Sequence, residues 1–107
     1  RMETPKRFGG LESTPREIVE ITETIARANA SAGWCAMIAS TTALNAAYME
    51  PVYAEAIYAD PMAITGGVFA PMGRATLEGD HYRVTGRWQW GSGSANCTWL
   101  CGSCTLW

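Results

Sequence analysis

The residues best equipped for chemistry lie between Trp88 and Trp99, in the run W-Q-W-G-S-G-S-A-N-C-T-W. Two indoles at alternate positions lead into Gly91-Ser92-Gly93-Ser94, whose small side chains let a ligand approach backbone and hydroxyl groups closely. Such a run suits the wall of a site for a planar ring. It equally suits a Trp-rich sheet core that ends in an ordinary loop, and these residues alone leave both readings open. Other reactive side chains are sparse. His81 is the only imidazole and stands beside an expected turn, which favours a solvated residue over a general base. Cys97, Cys101 and Cys104 lack the paired C-x2-C knuckles of structural zinc sites, and on a strand Cys104 would point away from the other two. With Cys35 they are expected to be reduced thiols acting as small core residues, and no metal is expected.

The elements that must position these residues follow from periodicity. Tyr82, Val84, Trp88, Trp90 and Ser92 share one parity, while Arg83, Thr85, Arg87 and Gln89 share the other. That alternation predicts one long strand from His81 with a kink or bulge at Gly86, entered through a two-residue turn at Gly79-Asp80. Before it, Ile64 to Phe69 and Arg74 to Glu78 are predicted strands joined by a tight connection at Ala70-Pro71-Met72-Gly73. Thr98 to Thr105 is a further strand.

The first half of the chain is helical in period. Thr14-Pro15-Arg16-Glu17 has a capping threonine, a proline suited to the first helical position and a glutamate that completes a capping box. Ile18, Ile21, Ile25 and Ala28 then recur at helical spacing, to an end near Asn29 to Ser31. A second helix, capped by Ser31 and reaching about Met49, is uncharged all round, so it is expected to lie inside a bundle with Trp34 in the core. Ser40, Thr41 and Thr42 on it are expected to bond back to helix carbonyls rather than line a pocket. A third helix starts at Pro51 and stops at Asp60-Pro61, and Arg1 to Ser13 is expected to be a loop or the tail of an element that precedes it. Helices followed by antiparallel strands make an α+β order, with the boundary near residues 60 to 63: residues 1–60 form the end of an N-terminal helical bundle, and 61–107 the first antiparallel strands of a β-barrel-like domain.

Composition narrows the functional classes. The formal net charge is -2 and the basic residues are scattered, which disfavours nucleic acid as a partner. The apolar stretch from Ala28 to Met49 carries Asn29, Ser31, Ser40, Thr41, Thr42 and Asn45, so a buried helix fits it better than a membrane span. With reduced cysteines, a cytoplasmic location is expected. More than half of the charged residues precede Ala28, and none follows Arg87. The twenty uncharged residues that close the sequence, and the absence of an initiator methionine, lead to the expectation that the chain is part of a longer one.

Three motifs in this order resemble the acyl-CoA dehydrogenase superfamily with its flavin-dependent monooxygenase branch: N-A-S-A-G-W-C-A-M-I, G-G-V-F-A-P-M-G-R-A, and G-D-H-Y-R-V-T-G-R-W-Q-W-G-S-G-S-A-N-C-T-W-L. The resemblance runs from about Gly10 to Cys104. It implies a flavin, FAD or FMN, with Trp90 packed against the ring system and the Ser92 hydroxyl near flavin N5, the one catalytic role it assigns. Val68 and Phe69 match the strand end whose backbone reaches the pyrimidine edge. It also implies a small-molecule substrate and a homo-oligomer, typically a tetramer. Where acyl-CoA dehydrogenases usually carry T-E-P-x-A-G-S-D, this chain has F-A-P-M-G-R-A, which leans toward the monooxygenase branch, a small aromatic substrate and a separate flavin reductase. The histidine that many members of that branch place near position 42 is absent, so no imidazole base is assigned there. Two alternatives stand beside this: an acyl-CoA dehydrogenase whose glutamate base lies elsewhere, and a non-enzymatic interaction module whose aromatic strand is an obligate interface.

Overall fold

Local chemistry starts the first helix where the sequence places it. Glu17 N–H donates to Thr14 Oγ1 at 3.4 Å and Thr14 N–H to a Glu17 carboxylate oxygen at 2.7 Å, so the capping box is closed in both directions. The computed structural model describes all residues, 1–107. Helix α1 spans Pro15–Ala28, α2 Ala30–Ala43 and α3 Pro51–Tyr58. Three strands follow: β1 Thr65–Glu78, β2 His81–Gly86 and β3 Trp99–Leu106.

Helix α2 begins earlier than expected because Asn29, not Ser31, caps it: Ala32 N–H donates to Asn29 Oδ1 at 3.0 Å. It closes at Ala43 in a 3-10 turn over Leu44–Ala47 rather than running to Met49. The α1–α2 pair packs closely at Gly33, where an added Cβ would sit 2.6 Å from that of Ala26. Only the C-terminal half of α2 is well covered. Trp34, expected in the core, is 56% exposed, because no element packs over the first turns of α2 on that side. Thr41 and Thr42 do bond back, Thr42 Oγ1 donating to Ile38 O at 2.7 Å. Ser40 does not: it is 3% exposed and its hydroxyl has no partner.

The helical core is a cluster of Phe8, Ala43, Ala46, Ala54 and Tyr58. The N-terminal stretch, expected as a loop or tail, contributes Phe8 through a 3-10 turn at Lys6–Phe8. Arg1 holds that stretch down. Its guanidinium lies over the Tyr58 ring and donates to the carbonyls of Phe8, Tyr58 and Asp60. Tyr58 also joins helices to sheet, its hydroxyl 3.3 Å from Thr65 Oγ1, which in turn donates to Ala39 O at 3.5 Å. Burial pushes the Tyr58 phenol up, against the opposing pull of the Thr65 hydroxyl.

The sheet departs from expectation in three ways, although the α+β order holds. First, no turn separates two strands at Ala70–Gly73; β1 is continuous but bulges there, Val68 pairing with Gly102 of β3 and Gly73 with Cys104, so that its pairing with β3 breaks in between. A proline is tolerated mid-strand where no ladder bond is asked of it. Second, β2 ends at Gly86, so Trp88 and Trp90 lie outside any strand. Third, the order is β2-β1-β3, with β1–β2 an antiparallel hairpin through Gly79-Asp80 but β1–β3 parallel, where antiparallel neighbours were expected. Since β2 and β3 flank β1, residues 87–98 must cross from one edge of the sheet to the other. Arg74 is exposed and stacks its guanidinium over the Trp107 ring at 4.2 Å. No helix is long and apolar enough to cross a membrane.

Candidate functional site

The crossover carries the indoles and the Ser/Gly run, and its first anchor is Trp88. The half-buried indole lies over a floor of glycines, one from each strand: an added Cβ at Gly73, Gly86 or Gly102 would come within 2.3, 2.9 or 2.6 Å of the ring. Its Nε1–H donates to Ser103 O at 2.8 Å. The next residue is tied to β1, Gln89 N–H donating to Met72 Sδ at 3.3 Å.

Beyond these anchors the chain turns sharply. Trp90 has a φ of +65° and is 86% exposed. A left-handed conformation is uncommon for a bulky residue, and this indole stands in the open whereas that of Trp88 is half-buried on the glycines. The two indoles therefore do not form one wall, as strict alternation would require. Trp88 is a packing residue; Trp90 is free aromatic surface. Ser92 N–H donates to Trp90 O at 2.8 Å, and Gly93 follows with a φ of +74°.

Strand β1 passes beside this turn. An added Cβ on Gly91 would lie 3.9 Å from Val68 Cγ2, so Val68 and the Trp90–Gly93 turn are neighbours. Phe69, one residue on, is 59% exposed. Residues Phe69 to Met72 have no partner in either ladder, since β3 pairs with Thr65 to Val68 and then from Gly73, and β2 pairs only from Gly73 onward. An exposed phenylalanine, an exposed tryptophan and a stretch of unpaired backbone thus lie near the Val68–Gly91 contact. Composition alone did not point to the unpaired stretch; Pro71 inside a strand was the signal available.

Two concavities border the turn. A cleft of about 540 Å³ on the sheet is lined by Val68, Trp88, Gly91 and Leu100 among others, with no charged side chain. That volume falls within the roughly 300–1,000 Å³ of small-molecule sites. A smaller one of about 240 Å³ lies between α2 and the crossover, lined by Cys35, Ile38, Thr65, Ser92 and Cys97 among others. Val68 lines the first and Ser92 the second, while Phe69 and Trp90 line neither. Cys97 donates its thiol proton to Gly93 O at 3.3 Å, and burial followed by the nearby Cys35 pushes its thiol up, the direction of an unreactive sulfur. All four cysteines are free and no cluster of metal-ligating side chains occurs. His81 is exposed and lies 3.1 Å from Asp80, beside the Gly79-Asp80 turn as expected.

No protein-family model matches the chain. Curated relatives do. A pigment production hydroxylase of Rhodococcus erythropolis is 34% identical over 100 residues, 92% of this chain and 25% of that protein. An indole-3-acetate monooxygenase of Pseudomonas putida is 37% identical over 91 residues, covering 84% and 23% respectively. The oxygenase component of an FADH(2)-dependent resorcinol hydroxylase of a Rhizobium species is 33% identical over 99 residues, covering 91% and 24%. Among solved structures, the HsaA monooxygenase from M. tuberculosis superposes with a TM-score of 0.91 over 98% of this chain and 29% of its own, at 26% identity. The 3-HSA hydroxylase from Rhodococcus sp. RHA1 gives 0.92 over 99% and 28%, at 23% identity, a likeness of fold. The chain spans about a quarter of the length of the curated relatives it matches, and along that quarter it is similar to proteins named as monooxygenases and hydroxylases.

Proposed function

We propose that this chain is the helix-to-sheet quarter of the oxygenase component of a flavin-dependent monooxygenase, of the acyl-CoA dehydrogenase-like type, that hydroxylates a small aromatic molecule. The observation that carries the reading is the superposition of 98% of the chain on a monooxygenase at a TM-score of 0.91, joined to 33–37% identity with named hydroxylases and monooxygenases. Residues 1–60 belong to a helical domain and 61–107 open the β-domain. A reductase partner follows from relatives named as oxygenase components or subunits, and a homo-oligomer from the family resemblance.

The residues present fit a flavin. A planar ring needs a flat apolar wall and polar groups at one edge. Exposed Trp90 and Phe69 offer the first, and the unpaired backbone of Phe69 to Met72 offers the second. Ser92, with no hydrogen-bond partner for its hydroxyl among the side-chain bonds of the crossover, would serve at N5. When bound in reduced form, the flavin would supply the electrons that activate dioxygen. The chain's part is to seat the ring, keep water from one of its faces and hold a hydroxyl at its edge.

The test uses the complete protein with a flavin reductase, NADH, FAD or FMN and a panel of phenols and indoles under air. The expected outcome is a hydroxylated product formed only when the reductase is present. Bleaching of bound flavin by an acyl-CoA, anaerobically and without reductase, would overturn the proposal in favour of a dehydrogenase.

A further inference from the structure

We propose that Trp88 is a positioning residue for this flavin site, fixing the Trp90–Gly93 turn from below; the inference rests on the flavin reading just given. The far end of the crossover is tied to Ile64 through Thr98, and Cys97 bonds back to Gly93, so at the near end, before the turn, the anchor is Trp88. The crossover contains no helix beyond the short 3-10 turn at Ser94–Asn96. It must nevertheless place Trp90 and Ser92 reproducibly beside β1, and a site loose by about 1 Å loses much of its effect.

Trp88 meets that need through contacts with every strand. Its ring rests on Gly86 of β2, Gly73 of β1 and Gly102 of β3, and no larger residue fits beneath it at any of the three. At Gly102 the three nearest atoms to an added Cβ all belong to the Trp88 indole, at 2.6 to 2.9 Å. The Nε1 bond to Ser103 O sets the ring's rotation, since the indole has one donor and the acceptor is strand backbone. A side chain fixed in place and in rotation fixes its own Cα. From that point two residues reach Trp90, with the Gln89–Met72 bond constraining the step between. Met72 belongs to the same unpaired stretch of β1 that would meet the ring edge, so one anchor registers both halves of the site.

The experiment is a double-mutant cycle on the complete protein, read by flavin binding and by the fine structure of the bound flavin's visible bands, with circular dichroism as the check on folding. Trp88→Phe keeps an aromatic ring but removes the Nε1 donor. It is expected to weaken flavin binding about tenfold, the order expected from losing one such bond. In a Trp90→Leu background, already weakened, the same change is expected to add little, because its effect passes through the turn. A residue that only stabilises the fold would lower affinity equally in both backgrounds, and that additivity would overturn the proposal. So would unchanged affinity in Trp88→Phe. If Trp88→Phe does not fold, Gly102→Ala, which presses on the indole from β3, takes its place in the cycle with the same outcomes deciding. A wild-type protein that binds no flavin would instead sink the flavin reading itself.

Discussion

Trp90 combines a backbone conformation that disfavours large side chains with an indole that touches almost nothing of this chain. A non-glycine residue in the left-handed region costs on the order of 1 kcal/mol, and such strain concentrates where function holds it in place. Trp90→Gly is therefore expected to leave thermal stability equal or raise it by a few tenths to about 1 kcal/mol, measured by the melting temperature. The same change is expected to weaken flavin binding in the complete protein. A loss of both stability and binding would mean that the indole packs against something that holds the fold. Sequence parity treated Trp88 and Trp90 as equivalent; what separates them is one backbone angle and three glycines on three strands, none of which alternation encodes. Ser92 and Val68, named from the resemblance, lie on the two sides of the turn, in different concavities.

At the scale of elements, the features legible in the sequence are those whose chemistry is local. The Thr14–Glu17 box, the prolines opening α1 and α3 and the Gly79-Asp80 turn all work within a few residues of themselves. Thr14→Ala is expected to cost about 1 kcal/mol, seen as faster amide exchange in the first turn of α1. Glu17 has its carboxyl held below the ordinary carboxylate range by the Thr14 backbone and then side-chain hydrogen bonds. A lowered value means the charged form is favoured in the folded state, so this contribution is present above the ordinary carboxylate value. It is lost as pH falls through the lowered one. Fraying at the start of α1 on acidification, abolished in Glu17→Gln, is the expected result by exchange or chemical-shift titration. Strand β1 was less legible, because its partner changes along its length and partners are not a local property. The amides of Phe69, Ala70 and Met72 are expected to exchange faster than those of Thr65 to Val68 and Gly73 to Ala75. Uniform protection would mean that the gap in the ladder is closed in solution.

For the molecule as a whole, 16 of 107 residues are buried, too few to hold a sheet whose apolar residues stand in the open. Tyr82, Val84, Leu100, Leu106 and Trp107 are all exposed, and the chain spans only about a quarter of the length of its curated relatives. Residues 1–107 expressed alone are therefore expected to bind a hydrophobic dye such as ANS strongly and to unfold without a sharp transition. The complete protein is expected to bind little and melt cooperatively. Tight dye exclusion by the isolated segment would show that the sheet face needs no cover. The α+β order was legible from the change of period near residue 63. The parallel β1–β3 pairing was not, since two strands that each alternate carry no mark of their relative direction.

The strand order also dictates a sequence of events in time. β1 and β2 are joined by two residues and can zip together on a microsecond scale as soon as both exist. The opposite edge of β1 stays open until β3 has been made and the intervening twelve-residue arm has swung over, a slower closure. During synthesis at about 5–20 residues per second, that interval leaves a bare edge for on the order of seconds, the window in which a nascent chain of this kind is most open to wrong partners.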